Sequence, residues 1–173
     1  ASIFPGPVEA TDTLVSMPPL VLVVGTCMHA GKTRAACTLI RQATARGLKV
    51  GAAKVTGVAL RRDVLEMQDH GAIWTCSFAD AGLPSTCGTS VLKVAKGCLN
   101  AVAGQDVDLM IVDVNMPVMD GITMITEVRK LPTHAKTPIF VLTTQASRVT
   151  SAKGKAAGAT AWIIKPFKPE ILL

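Results

Sequence analysis

Leu20-Val21-Leu22-Val23-Val24-Gly25-Thr26-Cys27-Met28-His29-Ala30-Gly31-Lys32-Thr33 is the stretch on which the reading of this chain turns. Five apolar residues run into Gly25, and a second glycine, Gly31, is followed at once by lysine and threonine. An unbroken apolar run of this kind suits a strand buried on both faces. A helical period follows from about residue 31, so the glycine segment is a strand-to-helix turn. Backbone N–H groups of such a turn and of the first helical turn point at one place, where the helix dipole favours an anion. Lys32 adds a mobile positive charge there, and Thr33 a hydroxyl that can face Mg²⁺. Gly25, Thr26, Cys27, Met28, His29, Ala30, Gly31, Lys32 and Thr33 are thus the candidate phosphate- or nucleotide-binding segment, for phosphate, sulfate or the tail of ATP with Mg²⁺. His29 reads by default as an exposed loop histidine.

Outward from this turn, short apolar runs alternate with longer segments of helical period. Strands are predicted at 20–25, 48–55, 72–78, 108–113, 138–143 and 160–165, and helices at 31–46, 61–70, 86–103, 121–130 and 147–157. Ile122, Ile125 and Val128 recur at helical intervals and mark a sheet-facing stripe. Strands that alternate with helices in this way form a parallel sheet, because right-handed crossovers carry each helix onto a face. The expected fold is a three-layer α/β/α sandwich with a doubly wound, mainly parallel sheet of about six strands. It makes one domain, 20–173, behind a leader, 1–19, that holds four prolines and at most one short docking helix between Val8 and Met17. The strand beginning at 108 is expected to lie beside the one beginning at 20.

Composition narrows the function classes. Of 173 residues 49% are apolar and 17% charged, with no low-complexity tract, so the chain should fold. The net charge of +6 is spread evenly: residues 1–107 carry 10 Lys/Arg against 7 Asp/Glu, and residues 108–173 carry 8 against 5. Without a concentrated basic stripe, and with no tyrosine, nucleic-acid binding is disfavoured; a phosphate-bearing small molecule suits the charge better. Five cysteines (Cys27, Cys37, Cys76, Cys87 and Cys98) show no metal-ligand spacing and read as reduced core thiols, with Cys27 placed in the glycine loop. No apolar stretch reaches membrane-spanning length. The expectation is a soluble cytoplasmic protein, monomer or weak homodimer.

Five residues separate Gly25 from Gly31, one more than in the common P-loop, and this longer form resembles the loop of the dethiobiotin synthetase-like group of P-loop NTPases. The resemblance spans about 20–105. It implies that Lys54, in Lys54-Val55-Thr56-Gly57, is a substrate-side lysine preceding a Thr-Gly turn, and that Asp63 is a metal-associated carboxylate. From Asp108 onward the chain is similar to response-regulator receiver domains, which are flavodoxin-like. Asp113, opening Asp113-Val114-Asn115-Met116-Pro117-Val118-Met119-Asp120-Gly121, resembles the receiver's phospho-acceptor. Thr143 and Trp162 stand at its switch positions, and Lys165-Pro166-Phe167 matches its Lys-Pro turn. The strand 109–113 also resembles the P-loop strand whose aspartate supports Mg²⁺, which makes Thr33 and Asp113 the candidate metal residues.

Together these resemblances imply a P-loop/flavodoxin-like hybrid, P-loop-like over 20–105 and receiver-like over 106–173, joined within about 98–108. A receiver holds Mg²⁺ with an acidic pair at the end of its first strand; here that strand end reads Gly25-Thr26-Cys27. Asp113, Thr143, Trp162 and Lys165 are therefore expected to be inherited rather than working. The expected function is that of an engineered or recombined chimera with vestigial phosphate or nucleotide binding and no efficient catalysis. The rivals are an ATP-dependent P-loop enzyme and a phosphorelay receiver phosphorylated on Asp113. Pro169-Glu170-Ile171-Leu172-Leu173 leaves little room for a receiver's last helix, and residues 8–17 are expected to dock across that flank, with dimerisation as the rival.

Overall fold

The alternation of strands and helices is realised element by element. A computed structural model describes residues 2–3, 7–25, 31–87, 91–115, 121–130, 135–143 and 148–164. In chain order they form β1 (Ser2–Ile3), β2 (Leu20–Gly25), α1 (Lys32–Ala45), β3 (Val50–Lys54), α2 (Arg61–Asp69), β4 (Trp74–Ser77), a 3₁₀ turn (Phe78–Ala81), α3 (Leu92–Ala103), β5 (Leu109–Asn115), α4 (Gly121–Lys130), β6 (Ile139–Thr143), α5 (Arg148–Ala156) and β7 (Ala161–Ile164). Among the described residues these strands make one all-parallel sheet in the order β1-β4-β3-β5-β2-β6-β7. From residue 20 on, its six strands are those expected, and the two-residue β1 is an addition at one edge.

Side chains alternate across each strand, and the three core clusters show which helix covers which face. Val23 of β2, Ala52 of β3 and Ile111 of β5 pack with Ile40 and Ala36 of α1 and Met67 of α2. On the opposite face, Ala53, Met110 and Val112 pack with Cys98 and Val102 of α3. Val24, Ile139 and Val141 pack there with Ile125 of α4 and, at the β7 edge, with Trp162. The chain thus steps from β2 through β3 to β4 with helices on one face, then returns through β5 to β6 and β7 with helices on the other. Right-handed crossovers impose that change of face whenever the direction of travel reverses.

The strand order differs from a receiver's, and one expectation, that for the leader, is corrected. In the flavodoxin-like order 2-1-3-4-5 the third and fourth strands are neighbours. Here β2 lies between β5 and β6, hydrogen-bonded to both, with Val23 opposite Asp113 on one side and Phe140 on the other. The β2–β5 adjacency is the one expected; the separation of β5 from β6 is not a receiver's. The leader also behaves differently. Residues 7–19 contain no helix and lie against α3 and the 3₁₀ turn, at the β4 side of the sheet, rather than across the flank at the C-terminal end. Val8 N donates to Asp80 O, Thr11 N to Lys93 O, and Asn100 exchanges side-chain hydrogen bonds with Val15 N and Thr13 O. Pro7, Pro18 and Pro19 favour this extended course, and polar partners along α3 satisfy the backbone that a helix would have satisfied internally.

Candidate functional site

The carboxyl ends of β2, β3 and β5 meet where the strand order changes direction, the place at which open α/β sheets bind ligands. α1 begins there with Gly31 at its N-cap, whose φ of 74° is left-handed and favours a residue without Cβ. Of the nine-residue candidate segment, Gly25, Gly31, Lys32 and Thr33 are described; Thr26, Cys27, Met28, His29 and Ala30 lie outside the described residues. Lys32 is buried at the first position of α1. Thr33 Oγ1 donates a hydrogen bond to Asp113 Oδ2 at 2.8 Å, so the start of α1 and β5 meet in one contact.

Asp113 sits near the end of β5 with only 2% of its surface exposed. Its Oδ1 is buried and has no hydrogen-bond partner among the described residues. Burial pushes its carboxyl above the usual carboxylate range; the Thr33 hydrogen bond and the charges of Lys54 and Lys32 oppose the rise, while Asp63 adds to it. In the register, Asp113 stands opposite Lys54 of β3 as well as Val23 of β2. Lys54 Nζ is hydrogen-bonded to Asp63 Oδ2 in a buried ion pair. Neither residue is therefore a solvated surface charge, and both lie beside the candidate site. The Thr-Gly turn that follows is fixed by Thr86, whose Oγ1 accepts from Gly57 N at 2.8 Å and whose N–H donates to Gly57 O.

An orphaned, buried carboxylate oxygen next to a threonine hydroxyl fits a hard cation such as Mg²⁺, which keeps several waters and needs few protein oxygens. Among the described residues no group of three or more His, Cys, Asp or Glu side chains could hold a metal by itself. Any cation at Thr33 and Asp113 would thus draw most of its shell from water or from the oxygens of a ligand rather than from described side chains.

The receiver-type residues are not drawn together in the same way. Thr143 is fully buried at the end of β6, two strands away from Asp113. By strand alternation it shares the face of Ile139 and Val141, opposite the face of Ile111 and Asp113. Trp162 of β7 packs in the cluster with Val141 and Ile139, and its ring lies against Gly154 of α5, where an added Cβ would collide with it. Lys165 lies outside the described residues, as does the whole segment 165–173. Cys37, Cys76 and Cys98 are buried free thiols and Cys87 an exposed one. Burial, with Glu66 and Asp113 adding negative potential, pushes the Cys37 thiol up to about 12.

One feature beside the site escaped sequence reasoning. Ser77 and Asp80 form a reciprocal cap on the 3₁₀ turn, with Ser77 N donating to Asp80 Oδ2 and Ala79 N to Ser77 Oγ. A Ser-x-x-Asp spacing announces such a cap.

A family model for the response regulator receiver domain matches residues 85–173. The match starts upstream of the expected 98–108 join and takes α3 into the receiver-like part. A chemotaxis protein CheY homolog of Campylobacter jejuni is 34% identical over 68 residues, covering 39% of this chain and 52% of that relative. The chain spans about half the length of the curated relatives it matches. The response regulator CheY4 of Vibrio cholerae is 31% identical, with 72% of this chain and 92% of that one covered and a TM-score of 0.39. The signal recognition particle receptor FtsY of Elizabethkingia anophelis, in complex with GDP, is 20% identical over 91% of this chain and 52% of that one, with a TM-score of 0.58. That last likeness is one of fold. Among the described residues no helix is long and apolar enough to cross a membrane.

Proposed function

Since the chain belongs to the response regulator receiver family through residues 85–173, we propose that it is a recombined member, natural or engineered, in which a P-loop-like first half has given the family's aspartate a different task. Asp113 supports Mg²⁺ beside a phosphate-binding turn instead of accepting a phosphoryl group, and the chain binds the phosphate tail of a nucleotide without efficient turnover. The observation that carries this reading is the 2.8 Å hydrogen bond from Thr33 Oγ1 to Asp113 Oδ2, with the second carboxylate oxygen buried and unpartnered among the described residues. Lys32 supplies positive charge at the start of α1, and the first-turn amides of α1 supply donors. Mg²⁺ bound there would neutralise part of the tail's charge. The Lys54–Asp63 pair holds the far wall of the site, and the low exposure of Asp113 excludes bulk water from its carboxylate.

Calorimetry with Mg²⁺ plus pyrophosphate, ADP or GDP tests this. Saturable binding that needs Mg²⁺ and falls at least tenfold in Lys32→Ala is expected. Equal affinity in the two proteins refutes the assignment.

A second reading, phosphorylation of Asp113, is favoured by the family match and by the position of Asp113 at a strand end. It predicts that acetyl phosphate with Mg²⁺ adds one phosphoryl group to the intact mass, lost in Asp113→Asn. Under the first reading the mass does not change.

A further inference from the structure

Beyond the Lys54–Asp63 pair, a cavity of about 360 Å³ opens at the carboxyl ends of β3 and β4, between the start of α2 and the 3₁₀ turn. It is many times the volume of a water molecule and within the range of small-ligand sites, which start at about 300 Å³. Its apolar wall is formed by Leu60, Val64 and Phe78. Phe78 is fully buried from behind, so this wall is held rigid by the core, whereas Leu60 is 51% exposed at the rim.

The polar groups are unevenly distributed. Arg61, at the first position of α2, is exposed and has no ion-pair partner among the described residues. The N-cap of that nine-residue helix is Leu60, which offers no side-chain cap, and the acid of its first turn, Asp63, is engaged with Lys54. Asp80 also lines the cavity, its Oδ2 held by Ser77 N, and Lys54 is held by Asp63, so the charge left without a partner among the described residues at this end is that of Arg61. Across the cavity, Ser77 Oγ accepts from Ala79 N and retains a proton to donate.

The geometry points to a binding site for a small amphipathic carboxylate: its carboxylate against Arg61 and the open start of α2, its apolar body along Leu60, Val64 and Phe78. Arginine suits the planar carboxylate, and the apolar wall rejects a fully hydrated anion such as free phosphate. Occupancy does not require an anion at the glycine turn, because the walls come from β3–α2 and β4 with its 3₁₀ turn rather than from the β2–α1 junction.

The test is calorimetry on the full chain with hexanoate, hexylamine and hexanol as probes, and pyrophosphate with Mg²⁺ as an independent probe of the glycine turn. Hexanoate is expected to bind saturably, at least about tenfold more tightly than the amine or the alcohol. Arg61→Gln, at an exposed position, should weaken hexanoate roughly tenfold, and Ala59→Phe, which fills the cavity, should abolish it. Neither change should alter pyrophosphate affinity. Hexanoate binding without pyrophosphate binding would count against the glycine-turn assignment and leave the cavity site standing. No saturable hexanoate binding, equal binding of hexylamine, or hexanoate affinity unchanged in both variants overturns the inference.

Discussion

Gly97 of α3 lies under the leader, and replacing it with alanine gives a sharp test of how that segment is held. A Cβ built at Gly97 would fall well inside van der Waals contact of the Glu9 carbonyl oxygen and 3.0 Å from Val8 Cγ1. The obstacle is partly backbone, so the leader has to lift. Lifting exposes Val8, now 7% exposed, at about 2 kcal/mol. It also loosens the Val8 N–Asp80 O and Thr11 N–Lys93 O hydrogen bonds, at about 1 kcal/mol each. The Lys93–Asp12 ion pair, with side chains 60% and 71% exposed, adds little. Against this, alanine gains about 1 kcal/mol over glycine inside a helix. The balance is a loss of about 1–3 kcal/mol, or roughly 3–10 °C in Tm for a chain of this size. The assay is thermal and urea unfolding followed by circular dichroism, in the full chain and in a chain lacking residues 1–17. Without the leader the clash disappears and the sign reverses: Gly97→Ala should then stabilise by about 1 kcal/mol. A substitution that stabilises both chains equally, or a full chain indifferent to deletion of 1–17, would refute the docking of the leader on α3.

Three further outcomes follow from the site. Because burial raises the Asp113 pKa, the folded state holds its proton more tightly than the unfolded state does. That contribution is fully present below the ordinary Asp value of about 4 and is lost as pH climbs through the raised folded-state value; urea midpoints measured across this range should flatten in Asp113→Asn. Lys54→Met or Asp63→Leu alone should each cost about 3–5 kcal/mol by stranding a buried charge, while the double variant should recover most of the loss in chemical denaturation. Iodoacetamide at mildly alkaline pH should alkylate exposed Cys87 well before Cys37, whose thiol is held protonated up to about 12; peptide mapping that finds Cys37 modified first would contradict its burial.

The six strands from residue 20 were legible because each is a short apolar run ended by a polar or glycine signal, and the helices because their apolar residues recur at helical spacing. α3 begins at Leu92 rather than near residue 86. The physical reason lies in a tertiary contact that periodicity cannot report: residues 84–86 are tied to the Gly57 turn by Thr86 Oγ1, Thr86 N and the Val58–Ser85 bridge. The leader misled for a similar reason. Val8, Leu14, Val15 and Met17 suggested one amphipathic helix, yet only Val8 is buried, while Leu14 and Val15 stay 42% and 50% exposed. Apart from Val8, the anchoring comes from backbone hydrogen bonds at Val8, Thr11, Thr13 and Val15 and from the glycine notch at Gly97, features that carry no hydrophobic signal. At the site, the Thr33–Asp113 meeting followed from placing both at strand or helix ends, whereas the burial of Lys54 and Asp63 depended on a partner nine residues away in sequence. The cavity was invisible, since its walls come from four separate elements, β3, α2, β4 and the 3₁₀ turn.

Strand order is what sets the surroundings of Asp113. An apolar strand that is buried on both faces and carries an aspartate near its end suits more than one parallel α/β arrangement, so β5 carries no preference of its own. Its neighbours supply the preference. With β6 beside β5, Thr143 would stand one strand spacing away, about 4.8 Å; with β2 between them the backbone separation doubles to about 9.6 Å. The strand that intervenes ends in Gly25 and leads to α1, which brings Thr33 onto the carboxylate at 2.8 Å. Crossover handedness then fixes the rest: travel from β2 to β4 places α1 and α2 over the Asp113 face, and the return through β5 to β7 puts α3, α4 and α5 on the other. Asp113 is thereby enclosed under the start of α1, with one oxygen bonded to Thr33 and the other buried without a hydrogen-bond partner among the described residues, although the chain from residue 85 onward matches the receiver family.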